Sequence, residues 1–179
     1  MAPQNRGRKS HGRAGPLELI WLSAFAVVLM VTLRPCFQAR WLSALVPLAT
    51  LGLYYATAQQ DELTQLEILV AFPLYLVAWL SLKALEIEGG RPAARMILLF
   101  FLSGICAAVA TLFKLLLAPI PVAFWLIASF YLFRIGRVSL PGLVFQVWVP
   151  VAAGVVLPFA AVLLWFWHIG ALRELLWTA

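Results

Sequence analysis

Residues 96–133, MILLFFLSGICAAVATLFKLLLAPIPVAFWLIASFYLF, hold one charged side chain, Lys114, and their reading decides the fold. The hydrocarbon core of a bilayer is about 30 Å thick and takes about 20 apolar residues per helix. The run therefore reads as two membrane crossings joined by a turn marked by Pro119 and Pro121. In the first crossing Ser103, Ala107, Ala110 and Lys114 follow i, i+4, i+7, i+11 spacing, which puts a stripe of small residues and the lysine on one helix face. That face is expected to meet other helices. Phe101, Ile105 and Leu112 are expected to meet lipid, and Lys114 to sit near the outer end of its span.

Composition agrees. Hydrophobic residues make up 64% of the chain and charged residues 11%, far from the near-half apolar, quarter-charged balance of a soluble domain. The expectation is an all-α polytopic transmembrane bundle of five or six apolar helices, with no room for a separate soluble domain among 179 residues. Four of the thirteen basic residues, Arg6, Arg8, Lys9 and Arg13, lie in the N-terminal tail, so the net charge of +6 reports membrane orientation. No aromatic residues interleave that tail, which argues against a nucleic-acid partner. Cys36 and Cys106 are too few and too differently placed for a disulfide framework or a metal site. Arg34 and Pro35, just before Cys36, disfavour a lipid-modified cysteine, and the apolar segment 17–33 lacks a small-residue cleavage site. No metal or cofactor is expected.

Taken in order, residues 1–16 read as a disordered, basic cytoplasmic tail. Residues 17–170 read as the helix bundle, and 171–179 as the start of an amphipathic interfacial helix, an ending that suggests a partial chain. Within the bundle the expected helices are 17–33, 41–56 with a bend at Pro47, 66–82 with a kink at Pro73, the central pair, and one long bent helix 143–168 containing Pro150 and Pro158. Pro92 is expected to open the fourth helix. Trp165, Trp167 and His168 close the last one at an interface, where amphipathic rings are favoured.

Basic residues test the orientation. With six crossings and the N-terminus inside, six basic residues face inward and seven outward, which favours neither side. If segment 17–33 does not cross, eleven face inward and only Lys114 and Arg173 outward. The second arrangement is the more self-consistent. It places the loop 59–65, QQDELTQ, and the turn after Lys114 on the outer face.

Two short patterns carry a resemblance. Gln65-Leu66-Glu67 precedes an apolar span containing Pro73, and Leu102-Ser103-Gly104 leads through Ala110-Thr111-Leu112-Phe113 to Lys114. With Ala39 to Leu45 and Phe166 to Leu172, these segments resemble membrane glycosyltransferases of the family-39-like, GT-C type across residues 39–179. The resemblance implies a cell-envelope protein of a bacterial inner (plasma) membrane that uses a polyprenyl-phosphate sugar donor, undecaprenyl- or dolichyl-linked. Such enzymes supply their catalytic acid from a long first outer loop. Here residues 34–40 contain no acid, so the chain is expected to be incomplete and inactive alone.

Within that reading Lys114 is the candidate contact to the lipid phosphate, since an intramembrane charge is a functional hypothesis by default. Glu67 and Asp61 are the candidate catalytic carboxylates, one of which would act as general base toward an acceptor hydroxyl. Each has a plainer alternative: Lys114 can snorkel to the interface, and acids beside a helix start can be dipole partners. His168 reads as an interfacial histidine. The competing function is a small non-catalytic multi-pass protein, a scaffold subunit or a transporter-like bundle, in either case a membrane-lipid partner capable of homo- or hetero-oligomerisation.

Overall fold

The computed structural model describes residues 16–39, 41–53, 56, 66–87 and 93–171. The described residues form helices and turns, with no strand among them. The chain divides into two compact units, Met1–Leu69 and Val70–Ala179. Among the described residues the main helices are α1 Pro16–Leu33, α2 Leu42–Gly52, α3 Leu66–Leu85, α4 Ala93–Phe113, α5 Pro119–Arg134 and α6 Leu140–His168. Four segments, Leu19–Cys36, Ala93–Phe113, Leu115–Arg134 and Leu140–His168, are long and apolar enough to cross a membrane, and Leu42–Gly52 and Leu69–Leu85 are shorter apolar segments. The protein is an all-α integral membrane bundle.

In the N-terminal unit α1 buries Leu22, Phe25 and Leu29, spaced i, i+3, i+7, while Leu19, Ile20, Val27 and Val31 stay exposed. A helix apolar on every side suits lipid on one face and protein on the other. α1 packs on α2, where Ser43 is buried. Trp21 uses its indole Nε1 to donate to the carbonyl of Leu69 at 3.0 Å, giving its one polar atom a partner. A single 3₁₀ turn, Arg34–Cys36, follows α1 with Pro35 in its first turn. The expected bend at Pro47 is a change of helix type: Leu42–Pro47 is α-helical and Leu48–Gly52 is a π turn. A proline has no N–H to return to the preceding turn, and its ring pushes that turn's carbonyl away, so the ladder re-registers there.

The same device bends α6. Leu140–Leu143 is α-helical, Val144–Trp148 is a π turn, and Val149–His168 continues as α-helix with Pro150 in its first turn. The helix is started by Ser139, whose side chain accepts from the Gly142 N–H, with Pro141 behind it. The expectation of one long bent helix holds. Its C-terminus and that of α5 are both closed by a left-handed glycine: Gly136 at φ 67° and Gly170 at φ 75°. In each case the next amide reaches back five residues in a 6→1 bond, Arg137 to Leu132 and Ala171 to Phe166. A side chain at either glycine would be strained. The tail 1–15, the loop 59–65 and the segment 172–179 lie outside the described residues.

The C-terminal unit has its core among α3, α4, α5 and α6. Val77, Phe100, Leu132 and Val147 are fully buried there, surrounded by Ala84, Ala107, Trp125, Ala128 and Val151. Lipid tails are as apolar as leucine, so close packing and interhelical hydrogen bonds must hold such a bundle. α4 and α6 pack extensively on one another. They meet at Gly104 and Gly154, where a Cβ on Gly104 would strike the Val151 carbonyl and one on Gly154 the Phe101 carbonyl. This corrects the lipid-facing assignment of Phe101 and Ile105. Both are half-buried, because glycine at 104 opens a groove beside them that α6 fills. Ile97, Leu98, Leu102, Leu112 and Phe113 are the exposed large apolar residues of α4.

Candidate functional site

The small-residue stripe is buried as expected: Ser103 and Ala110 are inaccessible and Ala107 nearly so. Lys114 does not continue it. α4 ends at Phe113, and Lys114 has left the helix with extended backbone, φ −153° and ψ 100°. Its N–H still closes the last turn on Ala110 at 3.1 Å, and its carbonyl accepts from Leu117 at 3.0 Å to start the 3₁₀ turn Leu115–Leu117. Ala118 stays in the α region, and α5 starts with Pro119 in its first turn, where its missing N–H leaves no bond unmade.

The result is a half-buried lysine at an apolar tip, with Leu115 75% and Leu116 80% exposed. Five positions further on, Pro119, Ile120, Ala123, Phe124 and Ile127 line an open slot of about 280 Å³ along α5. The last four of these recur at i, i+3, i+4, i+7 and so share one helix face. A lysine five residues before an apolar slot suits a lipid with an anionic head.

Behind that slot the same helix is tied inward by a polar knot. Trp125 Nε1 donates to Ser103 Oγ at 2.9 Å, and Ser103 lies 3.3 Å from Ser81 Oγ and 3.4 Å from the Val77 carbonyl. One hydroxyl thereby joins α3, α4 and α5. The sequence marked Ser103 only as a small residue; a serine in mid-span was the signal, and its tryptophan partner was not visible there. Ser129, one turn beyond Trp125, is buried with its hydroxyl unpartnered.

The candidate carboxylates are placed differently. Glu67 lies in the first turn of α3 and belongs to the N-terminal unit. Asp61 lies outside the described residues. Neither unit therefore contains all three candidate residues in described form. Within the described residues of the C-terminal unit the carboxylate is Glu86, paired with Lys83 at 2.5 Å. That pair borders Arg95 at the start of α4, and the helix from Arg95 onward, about 28 Å at 1.5 Å per residue, separates it from Lys114. Among the described residues no cluster of His, Cys, Asp and Glu could hold a metal ion. No protein-family model, curated protein or solved structure matches the chain.

Proposed function

We propose that this multi-pass membrane protein binds a phosphate-bearing polyprenyl lipid, with Lys114 at the phosphate and the α5 slot along the first isoprene units. The observation that carries the reading is that the half-buried Lys114 precedes, by five residues, the apolar slot that begins at Pro119. A phosphate at the interface gains from a nearby ammonium, and a branched apolar chain suits a slot of Ile, Ala and Phe. On this reading the chain is a donor-lipid-binding part of a GT-C-type transferase that does not transfer sugar by itself. It sits in a bacterial plasma membrane with its N-terminal tail cytoplasmic. Glu67 and Asp61 are then the residues from which a general base would come.

The test is a titration of the purified chain in neutral-lipid nanodiscs with undecaprenyl phosphate and with undecaprenol. Saturable binding of the phosphate, and not of the alcohol, is expected. Equal binding of both would remove the phosphate from the account.

A non-catalytic scaffold subunit is the second reading. It is favoured by the Gly104–Gly154 contact and the Ser103 knot, which fill the bundle centre with protein atoms. A sealed-vesicle transfer assay with polyprenyl-phosphate sugars and acceptor lipids separates either reading from an active enzyme. No product above empty vesicles is expected. Product abolished by Glu67→Gln or Asp61→Asn would overturn both.

A further inference from the structure

At the other end of α4 the structure forms a second, differently built recess. Trp79, Lys83, Glu86 and Ile87 from α3 and the turn after it, with Arg95 and Leu99 from α4, line a cavity of about 330 Å³. Trp79, Lys83, Glu86 and Ile87 recur at i, i+4, i+7, i+8, and Arg95 and Leu99 at i, i+4, so each helix turns one face to the recess. Its apolar part is Trp79, Ile87 and Leu99. Its polar part is Lys83, Arg95 and Glu86. A water takes about 30 Å³ in the liquid, so there is room for a phosphodiester and the glycerol attached to it.

Charge favours an anion. Lys83 and Arg95 outnumber Glu86, and Arg95 lies in the first turn of α4, where unmatched amide N–H groups and the helix dipole add positive potential. Arg137 reinforces this end of the bundle. Its guanidinium donates to the Leu85 carbonyl at 2.6 Å, which pins the turn after α5 onto the end of α3 and holds a third cation close by. Glu86 is the built-in competitor for Lys83. Its side chain is 62% exposed, so it can turn to water when an anion arrives. Tryptophan at the rim suits the headgroup level of a bilayer.

We infer that Lys83 and Arg95 form a binding site for a phosphate group, of the kind an anionic phospholipid headgroup presents, at the end of the bundle opposite Lys114. The site is independent of the polyprenyl-lipid reading, because it uses other residues on another membrane face.

The experiment is native mass spectrometry of the full chain in detergent with phosphatidylglycerol, phosphatidylcholine and, in a separate arm, inorganic phosphate. Phosphatidylglycerol adducts in preference to phosphatidylcholine are expected. Lys83→Ala and Arg95→Ala should each lower their occupancy about fivefold, the size of one interfacial charge, and Lys114→Ala should leave it unchanged. Glu86→Gln, an exposed change that leaves the fold intact, should raise it. Inorganic phosphate with the same residue dependence would support the site and name a soluble phosphate as its occupant; residue dependence for phosphatidylglycerol alone names the lipid. Phosphatidylglycerol and phosphate occupancy unmoved by Lys83→Ala, Arg95→Ala and Glu86→Gln in helical protein would overturn the assignment.

Discussion

Gly104 of α4 and Gly154 of α6 meet backbone to backbone, each in the position where the other's helix would receive a Cβ. The obstacle at both is a main-chain carbonyl, Val151 for one and Phe101 for the other, and neither can rotate away as a side chain would.

Gly154→Ala should therefore destabilise the C-terminal unit by about 1–3 kcal/mol, the range for forcing one extra carbon into a packed site. Reversible unfolding in mixed micelles measures it. Gly52→Ala is the control: its Cβ would meet only Leu48 Cδ1 at 3.6 Å, an ordinary contact, and the change should be near neutral. Equal effects at the two glycines would mean that α4 and α6 are not so closely seated.

Two of the buried serines, Ser103 and Ser129, should respond in opposite ways. Ser103→Ala removes the acceptor of Trp125 Nε1 and leaves a buried N–H unmatched, at about 1–3 kcal/mol. Ser129→Ala removes a hydroxyl that is already unpartnered, and should be neutral or stabilising. The same unfolding assay reads both. A loss at Ser129 as large as that at Ser103 would show that its hydroxyl has a partner.

Much of the fold was legible because its signals are local. The near-absence of charge in 96–133 gave two helices and Pro119 placed the turn between them. The last helix starts at Leu140 and not at 143, because Ser139 and Pro141 form its start. The prolines at 47 and 150 signalled bends, though only the structure shows them as π turns. What was not legible needed a neighbour. Periodicity placed Lys114 on the Ser103 face, but a stripe cannot tell where a helix stops, and α4 ends at Phe113, one residue before the lysine. Gly104 looked like one more small residue; that it admits another backbone depends on Gly154, fifty positions away. The Ser103–Trp125 bond likewise joins two helices with no sequence pattern linking them. The α5 slot was hidden because any lipid-facing helix shows the same apolar residues.

Crossing by α5 predicts that its two ends lie on opposite sides of the membrane. With Cys36 and Cys106 replaced, Leu116→Cys and Ile135→Cys both present exposed positions. An impermeant thiol reagent applied to intact cells should label Leu116→Cys and spare Ile135→Cys. The reverse pattern would invert the orientation, and labelling of both would remove α5 as a crossing.

The most direct test of the account is the affinity of undecaprenyl phosphate for Lys114 variants in neutral-lipid nanodiscs. Lys114→Ala should weaken binding at least fivefold, about the size of one interfacial charge, while the protein stays helical. Lys114→Arg should retain part of the affinity, since the charge persists on a differently shaped head. Undecaprenyl phosphate bound equally by wild type, Lys114→Ala and Lys114→Arg would contradict the account and leave Lys114 as an interfacial anchor.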